Sequence, residues 1–214
     1  FLMNLDSQVS FERFDEKPAT KRENNRATNR EAILQAARLV FAELGYGGTT
    51  VRDIIRRTDL ATGTFYNYFD NKEQVFLALN TQIGEELRAL LAQGRQQAET
   101  FEELIANNYL TYFTYFANNP QNYALTRSNR GRDGANVNME GPQAKAGLAE
   151  MQADIEQAMQ LGRVSQVDAA MLTAAIGGVA FSILDDMMQR DPVQPEKAAE
   201  FATRLFMSGI STSE

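Results

Sequence analysis

Gly45-Tyr46-Gly47-Gly48-Thr49-Thr50-Val51-Arg52-Asp53-Ile54-Ile55 and, after a short basic stretch, Thr62-Gly63-Thr64-Phe65-Tyr66-Asn67-Tyr68-Phe69-Asp70-Asn71-Lys72-Glu73 decide how this chain folds. Gly45 reads as a helix stop, because a residue without Cβ adopts the left-handed cap at little cost. Thr50 then starts a new helix as N-cap, with Asp53 three residues on to return the bond. Val51, Ile54 and Ile55 form its inner face, and Arg52, Arg56 and Arg57 face outward. Thr58-Asp59-Leu60 breaks it. A short helix follows near 62–69, held to the core by Phe65 and Phe69, and Asp70-Asn71 caps another that opens with Lys72-Glu73. Upstream, Thr28 and Glu31 are spaced as a capping box, which predicts a helix from near Asn29. Ile33, Ala36, Ala37, Val40, Phe41 and Leu44 give that helix one apolar stripe.

Two helices joined by a tight turn, behind a basic segment, make a helix-turn-helix, whose second helix fits the DNA major groove. The outward residues of 62–69 have the chemistry that surface requires. Thr62, Thr64 and Asn67 are candidates for base edges or phosphates, and Tyr66 and Tyr68 for phosphate through their hydroxyls. Gly63 permits close backbone approach. Lys72 stands at a helix start, where free amides and dipole favour a phosphate. Thr49, Thr50 and Arg52 are candidates for a second phosphate, and Lys21, Arg22, Arg26 and Arg30 for non-specific contacts from an arm. The alternative for the aromatics is packing, which Phe65 and Phe69 are expected to do.

Charge supports this assignment once it is divided along the chain. The 214 residues carry a net charge of −7. Between Lys17 and Lys72, however, ten Lys/Arg stand against six Asp/Glu, and residues 73–214 have ten against eighteen. A basic module joined to an acidic one suits a polyanion binder coupled to a unit with another task. The chain has no Cys and no His. Thiolate metal sites, disulfides and every His-dependent catalytic arrangement are therefore excluded, so no enzyme, metal or cofactor is expected. Residues 1–16 read as a polar tail without signal-peptide character, Met3 as the natural start, and a cytoplasmic location follows as the expectation.

The run Gly45-Tyr46-x-x-Thr49-Thr50-Val51-x-x-Ile54 and the run Gly63-Thr64-x-Tyr66-x-Tyr68-Phe69-x-x-Lys72-Glu73, at this separation, resemble the DNA-binding region of the TetR family over about residues 28–77. The chain departs from the family pattern at Thr58-Asp59, where Ala-Gly is usual in the turn, and at Thr62, where a basic residue is common. The resemblance implies an all-α chain: a three-helix DNA-binding domain, then a larger helical domain for ligand binding and dimerisation. The expected division is a tail at 1–20, the DNA-binding domain at 21–71 and the second domain at 72–214.

Helical periods continue through the second half, with helices expected near 72–98, 101–118, 120–128, 142–161, 166–190 and 195–210 and a polar loop at 129–141. Tyr109, Tyr112, Phe113 and Phe116 recur at helical spacing. They are either core or the wall of a pocket for an apolar or aromatic molecule, completed by Asn108, Met151, Ile155, Met159 and Phe181. Arg127, Arg130 and Arg132 are either a solvated loop or a pocket mouth that attracts an anion. The segment 171–184 is apolar nearly all round but too short for a membrane span. The family resemblance implies that the last two helices pair with their copies across a two-fold axis, through Ile176, Val179, Ile183, Met187, Phe201, Leu205 and Phe206. The expected function is a repressor that binds a pseudo-palindromic DNA operator as a homodimer and is released by a hydrophobic effector. An α-helical enzyme and a sensorless architectural DNA-binding protein are the rivals.

Overall fold

A computed structural model describes residues 20–128 and 141–210. Among them the chain is helical throughout: α1 (Lys21–Gly48), α2 (Val51–Ile55), α3 (Thr62–Phe65), α4 (Lys72–Gln96), α5 (Phe101–Asn118), α6 (Pro120–Ser128), α7 (Pro142–Gln160), α8 (Ala169–Met187) and α9 (Pro195–Ile210). Most helix starts follow from a side-chain cap. Thr50 accepts from the Asp53 amide while Asp53 accepts from Thr50, and these bonds hold the Asp53 carboxyl below its usual range. Asn71 caps α4, Thr100 caps α5 in a second reciprocal box with Glu103, and Asp168 caps α8. Gly45 has φ +68°, the left-handed value that breaks α1 where the sequence placed its end.

Two boundaries differ from expectation. Helix α1 starts at Lys21, eight residues before Asn29, because Thr20 and Glu23 form a capping box further upstream. The Thr28 hydroxyl instead donates to the Asn24 carbonyl inside the helix, and Glu31 accepts from Gln35. The expected arm is thus helical. Helix α3 is only four residues long, and Tyr66, Asn67 and Tyr68 follow in turns rather than in a continued helix.

Ile33, Ala37, Val40, Phe41, Ile54, Phe65, Val75 and Leu79 form the N-terminal part of a core that runs without interruption into the second half. Phe41, Tyr46 and Phe76 make an aromatic cluster, with ring centroids 4.8–5.8 Å apart, where α1, its end and α4 meet. In the second half, α4 packs against α5 and α7, α7 against α8, and α5 chiefly against α9. Arg95 and Arg88 of α4 bind Glu150 of α7, at 2.5 and 2.6 Å, and Arg95 also binds Asp154. Burial pushes Glu150 up, but the Arg88 and Arg95 hydrogen bonds prevail and hold it below the usual carboxylate range. Gly84 lets these helices touch, since a Cβ there would lie 2.6 Å from Gln143 Cβ.

Candidate nucleic-acid interface and ligand cavity

The DNA-facing candidates separate into exposed groups and groups already in use. Arg30, Thr50, Arg52, Thr62, Gly63, Tyr66 and Asn67 are exposed, Tyr66 by 57%, and Thr64 is half-exposed. A Cβ added at Gly63 would meet nothing within 4 Å. Tyr68 is half-buried against the core, which leaves part of its ring accessible. Arg57 is tied to Glu43 of α1, so Arg52 and Arg56 are the outward cations of α2.

Thr49 and Lys72 do not stand where the sequence placed them. Thr49 is 1% exposed and its hydroxyl donates to the Gly45 carbonyl at 2.8 Å, because the left-handed Gly45 turns that carbonyl inward. It fixes the α1–α2 turn and is not available to phosphate. The Lys72 ammonium folds back over the Tyr46 ring, 4.7 Å from its centroid, and donates to the Tyr46 and Thr49 carbonyls at 2.8 and 2.7 Å. Those carbonyls lie where α1 ends, so a cation there is favoured. The Tyr46 hydroxyl in turn donates to Glu73 at 2.7 Å. Adjacent residues of α4 therefore clasp both ends of Tyr46.

A cavity of about 500 Å³ lies beside α4. It contains six of the nine residues expected there: Asn108, Tyr109, Tyr112, Phe116, Met151 and Phe181. Phe113 and Ile155 are fully buried elsewhere in the core, and the Met159 sulfur accepts from the Val167 amide, so these three do not line it. Most of the wall went unforeseen. Glu73, Phe76, Leu77, Asn80, Thr81, Gly84, Leu87, Arg88 and Leu91 contribute one continuous face of α4, and Tyr46 reaches the cavity from the end of α1. The three- and four-residue steps of that face were legible in the sequence, but periodicity does not separate a cavity wall from packed core. The Tyr109 hydroxyl donates to the Ile176 carbonyl, and burial pushes its pKa well up, so it remains a neutral donor.

A second joint ties the two halves through α6. Buried Arg38 of α1 donates to Asn122 at 2.5 Å and to Gln82 at 3.3 Å. Asn122 donates to the Tyr115 hydroxyl, which donates to Glu86. Arg38 Nε has no partner, and Thr126, one turn beyond Asn122, lines the cavity. Arg127 does not line it; its guanidinium donates to the Tyr123 hydroxyl, which donates to Asp185. Arg130 and Arg132 lie outside the described residues. No group of three or more Asp, Glu, His or Cys with metal-binding placement occurs among the described residues.

The expected dimer residues divide by face. Ile176 and Met187 are buried within the chain and so are not free for a partner, and the half-buried Phe206 stacks its ring on Tyr109, because α9 turns one side onto α5. Val179 and Ile183 are half-buried, whereas Phe201 and Leu205 are 51% and 50% exposed. Met171, which was not singled out, is 73% exposed. Helix α8 has the length and apolarity of a membrane span, and only 22% of its most apolar window is buried.

A helix-turn-helix is here mounted on a helical unit with an apolar cavity. Residues 33–79 match the family profile described as bacterial regulatory proteins, tetR family. The repressor AcnR of Corynebacterium efficiens is 45% identical over 51 residues, 24% of this chain and 27% of that protein. The repressor KstR2 of Rhodococcus jostii is 29% identical over 90 residues, 40% and 44% respectively. The matches thus span less than half the length of these curated relatives. The structure of FadR from Bacillus subtilis, solved in complex with stearoyl-CoA, superposes with a TM-score of 0.75 at 21% identity, over 84% of this chain and 98% of that one. Residues 33–79 are thus similar to the DNA-binding region of the TetR family, and the fold of the chain as a whole is that of the solved B. subtilis FadR.

Proposed function

We propose that this protein is a transcriptional repressor that binds a pseudo-palindromic operator as a homodimer and releases it when an elongated apolar molecule fills the cavity beside α4. The observation that carries this reading is the double use of α4. Its first turn clasps the DNA-reading unit through Lys72 and Glu73, and the same face continues along the cavity to Leu91. From Glu73 to Leu91 the helix rises about 27 Å, which suits a long chain or fused-ring body better than a compact one. A ligand can shift α4 only by the difference in its affinity for the two arrangements, and typical couplings between sites are about 1–3 kcal/mol. The relatives favour the same class: B. subtilis FadR holds stearoyl-CoA, and a mycobacterial neighbour is described as a ketosteroid regulator.

In this reading residues 21–71 read DNA and 72–214 sense and dimerise. Phe201, Leu205 and Met171, with the outer sides of Val179 and Ile183, form the apolar surface that a second copy covers. That pairing sets two readers on one face of the duplex, in the cytoplasm. Arg30, Thr50, Arg52, Thr62, Gly63, Thr64, Tyr66, Asn67 and Tyr68 are its DNA contacts. The test is to select duplexes from random sequence with the purified protein and to titrate the best one with stearoyl-CoA, stearate and a 3-ketosteroid. Repression of this kind predicts selection of an inverted repeat, loss of affinity on Tyr66→Ala, altered preference on Asn67→Ala, and release by one of the three ligands. Selection of no common sequence would favour the architectural rival.

A further inference from the structure

Beyond their Thr20–Glu23 cap, the first three turns of α1 are poorly built for stability. Lys21 and Arg22 sit in the first turn, where the helix dipole disfavours cations. Arg22, Arg26 and Arg30 follow at four-residue steps, and like charges so spaced repel. Asn24, Asn25, Thr28 and Asn29 are weak helix formers. Residues 21–28 are all exposed, so no packing compensates. The acids form no ion pair with the stripe among the described residues: Glu23 accepts from the Thr20 amide and hydroxyl, and Glu31 from Gln35. Arg22 and Arg26 have no ion pair or hydrogen-bond partner among the described residues.

The stripe also has a defined direction. Arg22, Arg26 and Arg30 extend, at helical steps, the face that becomes Ile33, Ala37 and Phe41 in the core of the reading unit. Arg30 pins the register, with its guanidinium 5.3 Å from the centre of the Phe69 ring, at the end of the segment that carries Tyr66 and Asn67. The cations therefore leave the core on the side of the reader. From Arg22 to Arg30 the helix rises about 12 Å, the length of three to four base pairs at about 3.4 Å each.

We propose that this N-terminal extension of α1 is a second DNA-contacting surface, a rigid rail on which Arg22 and Arg26 meet backbone phosphates beyond those reached by the helix-turn-helix. The proposal rests on the DNA-binding reading above and adds a surface to it. Phosphates offer what the isolated extension lacks: charge that relieves the Arg–Arg repulsion and favours the helical form. The contacts carry no base information, so they raise affinity on every sequence alike.

The experiment uses the full chain and a mixed-sequence 40-base-pair duplex, with binding followed by fluorescence anisotropy between 50 and 200 mM salt. Each phosphate contact contributes about 0.9 to the slope of log affinity against log salt. Arg22→Gln/Arg26→Gln is expected to lower that slope by about 2 per bound protomer, so the advantage of the parent protein shrinks roughly tenfold across this salt range. Arg22→Lys/Arg26→Lys should restore most of the slope. Thermal midpoints of all three proteins should agree or favour the Gln variant, which separates lost contacts from lost folding. An unchanged slope in the Gln variant overturns the rail and leaves the helix-turn-helix reading standing. A parent protein that binds no duplex overturns both.

Discussion

The proposed DNA-reading unit and the cavity are made from opposite materials. The reader presents small, polar and phenolic groups on short helices whose starts are fixed by local caps, so nearly every contact candidate is a neighbour in sequence. The cavity gathers side chains from α1, α4, α5, α6, α7 and α8, many of them of types that also fill an ordinary core. One site is a local motif; the other is a gap left by packing. Lys72 and Glu73 join them, since both grip Tyr46 and Glu73 opens the cavity face of α4.

Lys72→Met gives the largest expected effect and the sharpest way to break this contrast. The clasp interpretation predicts a loss of about 2–4 kcal/mol in unfolding free energy, from two charge-assisted bonds to partly buried carbonyls, together with weaker DNA binding. Urea denaturation measures it. Unchanged stability with abolished binding would return Lys72 to the phosphate-contact role read from the sequence.

That reversal shows what the sequence could and could not convey. Gly45, the Thr50–Asp53 box, the Asn71 cap and the α4–α6 boundaries were legible because caps act over three or four residues. The start of α1 was misplaced because two boxes compete, Thr20–Glu23 and Thr28–Glu31, and only the upstream one forms. The exposure of Tyr66 was readable, but the inward turn of Thr49 depends on a carbonyl that Gly45 redirects, and the Lys72 bonds close a contact across more than twenty residues. Tyr109, Tyr112 and Phe116 line the cavity, whereas Phe113 on the same helix belongs to the core. A shift of one position around the helix divides wall from filling. The division of α9 has the same origin: Ala202 and Phe206 pack inward while Phe201 and Leu205 face out.

Asn122→Leu comes next in size. It leaves buried Arg38 without its shortest bond and the Tyr115 hydroxyl without a donor, at a cost of about 1–3 kcal/mol. If α6 carries signal as well as load, the variant also loses part of the coupling between effector and DNA; if effector release is unaltered, α4 alone connects the sites.

Ala180→Phe fills cavity space from α8 and leaves the reader untouched. Effector affinity should fall at least tenfold, about 1.4 kcal/mol, while duplex affinity stays within about threefold. Isothermal titration and anisotropy on one preparation give both numbers. Equal loss of both would mean the two sites are not separable.

The smallest effect belongs to Gly63→Ala. Nothing lies near the added methyl group in the free protein, so folding stability should hold or rise by up to about 1 kcal/mol. DNA affinity should drop, because Gly63 is proposed to lie where backbone meets backbone. Unchanged affinity would move the reader's closest approach to Thr64 and Tyr66.

The most direct test of the central claim is reciprocity between cavity and DNA. A ligand that raises the thermal midpoint of the parent protein, but not of Ala180→Phe, is titrated into the complex with a selected duplex, and both affinities are measured with and without the other partner. Linkage through α4 predicts that ligand weakens DNA binding at least fivefold and that DNA weakens ligand binding by the same factor. A ligand held in the cavity with DNA affinity unchanged would contradict the account.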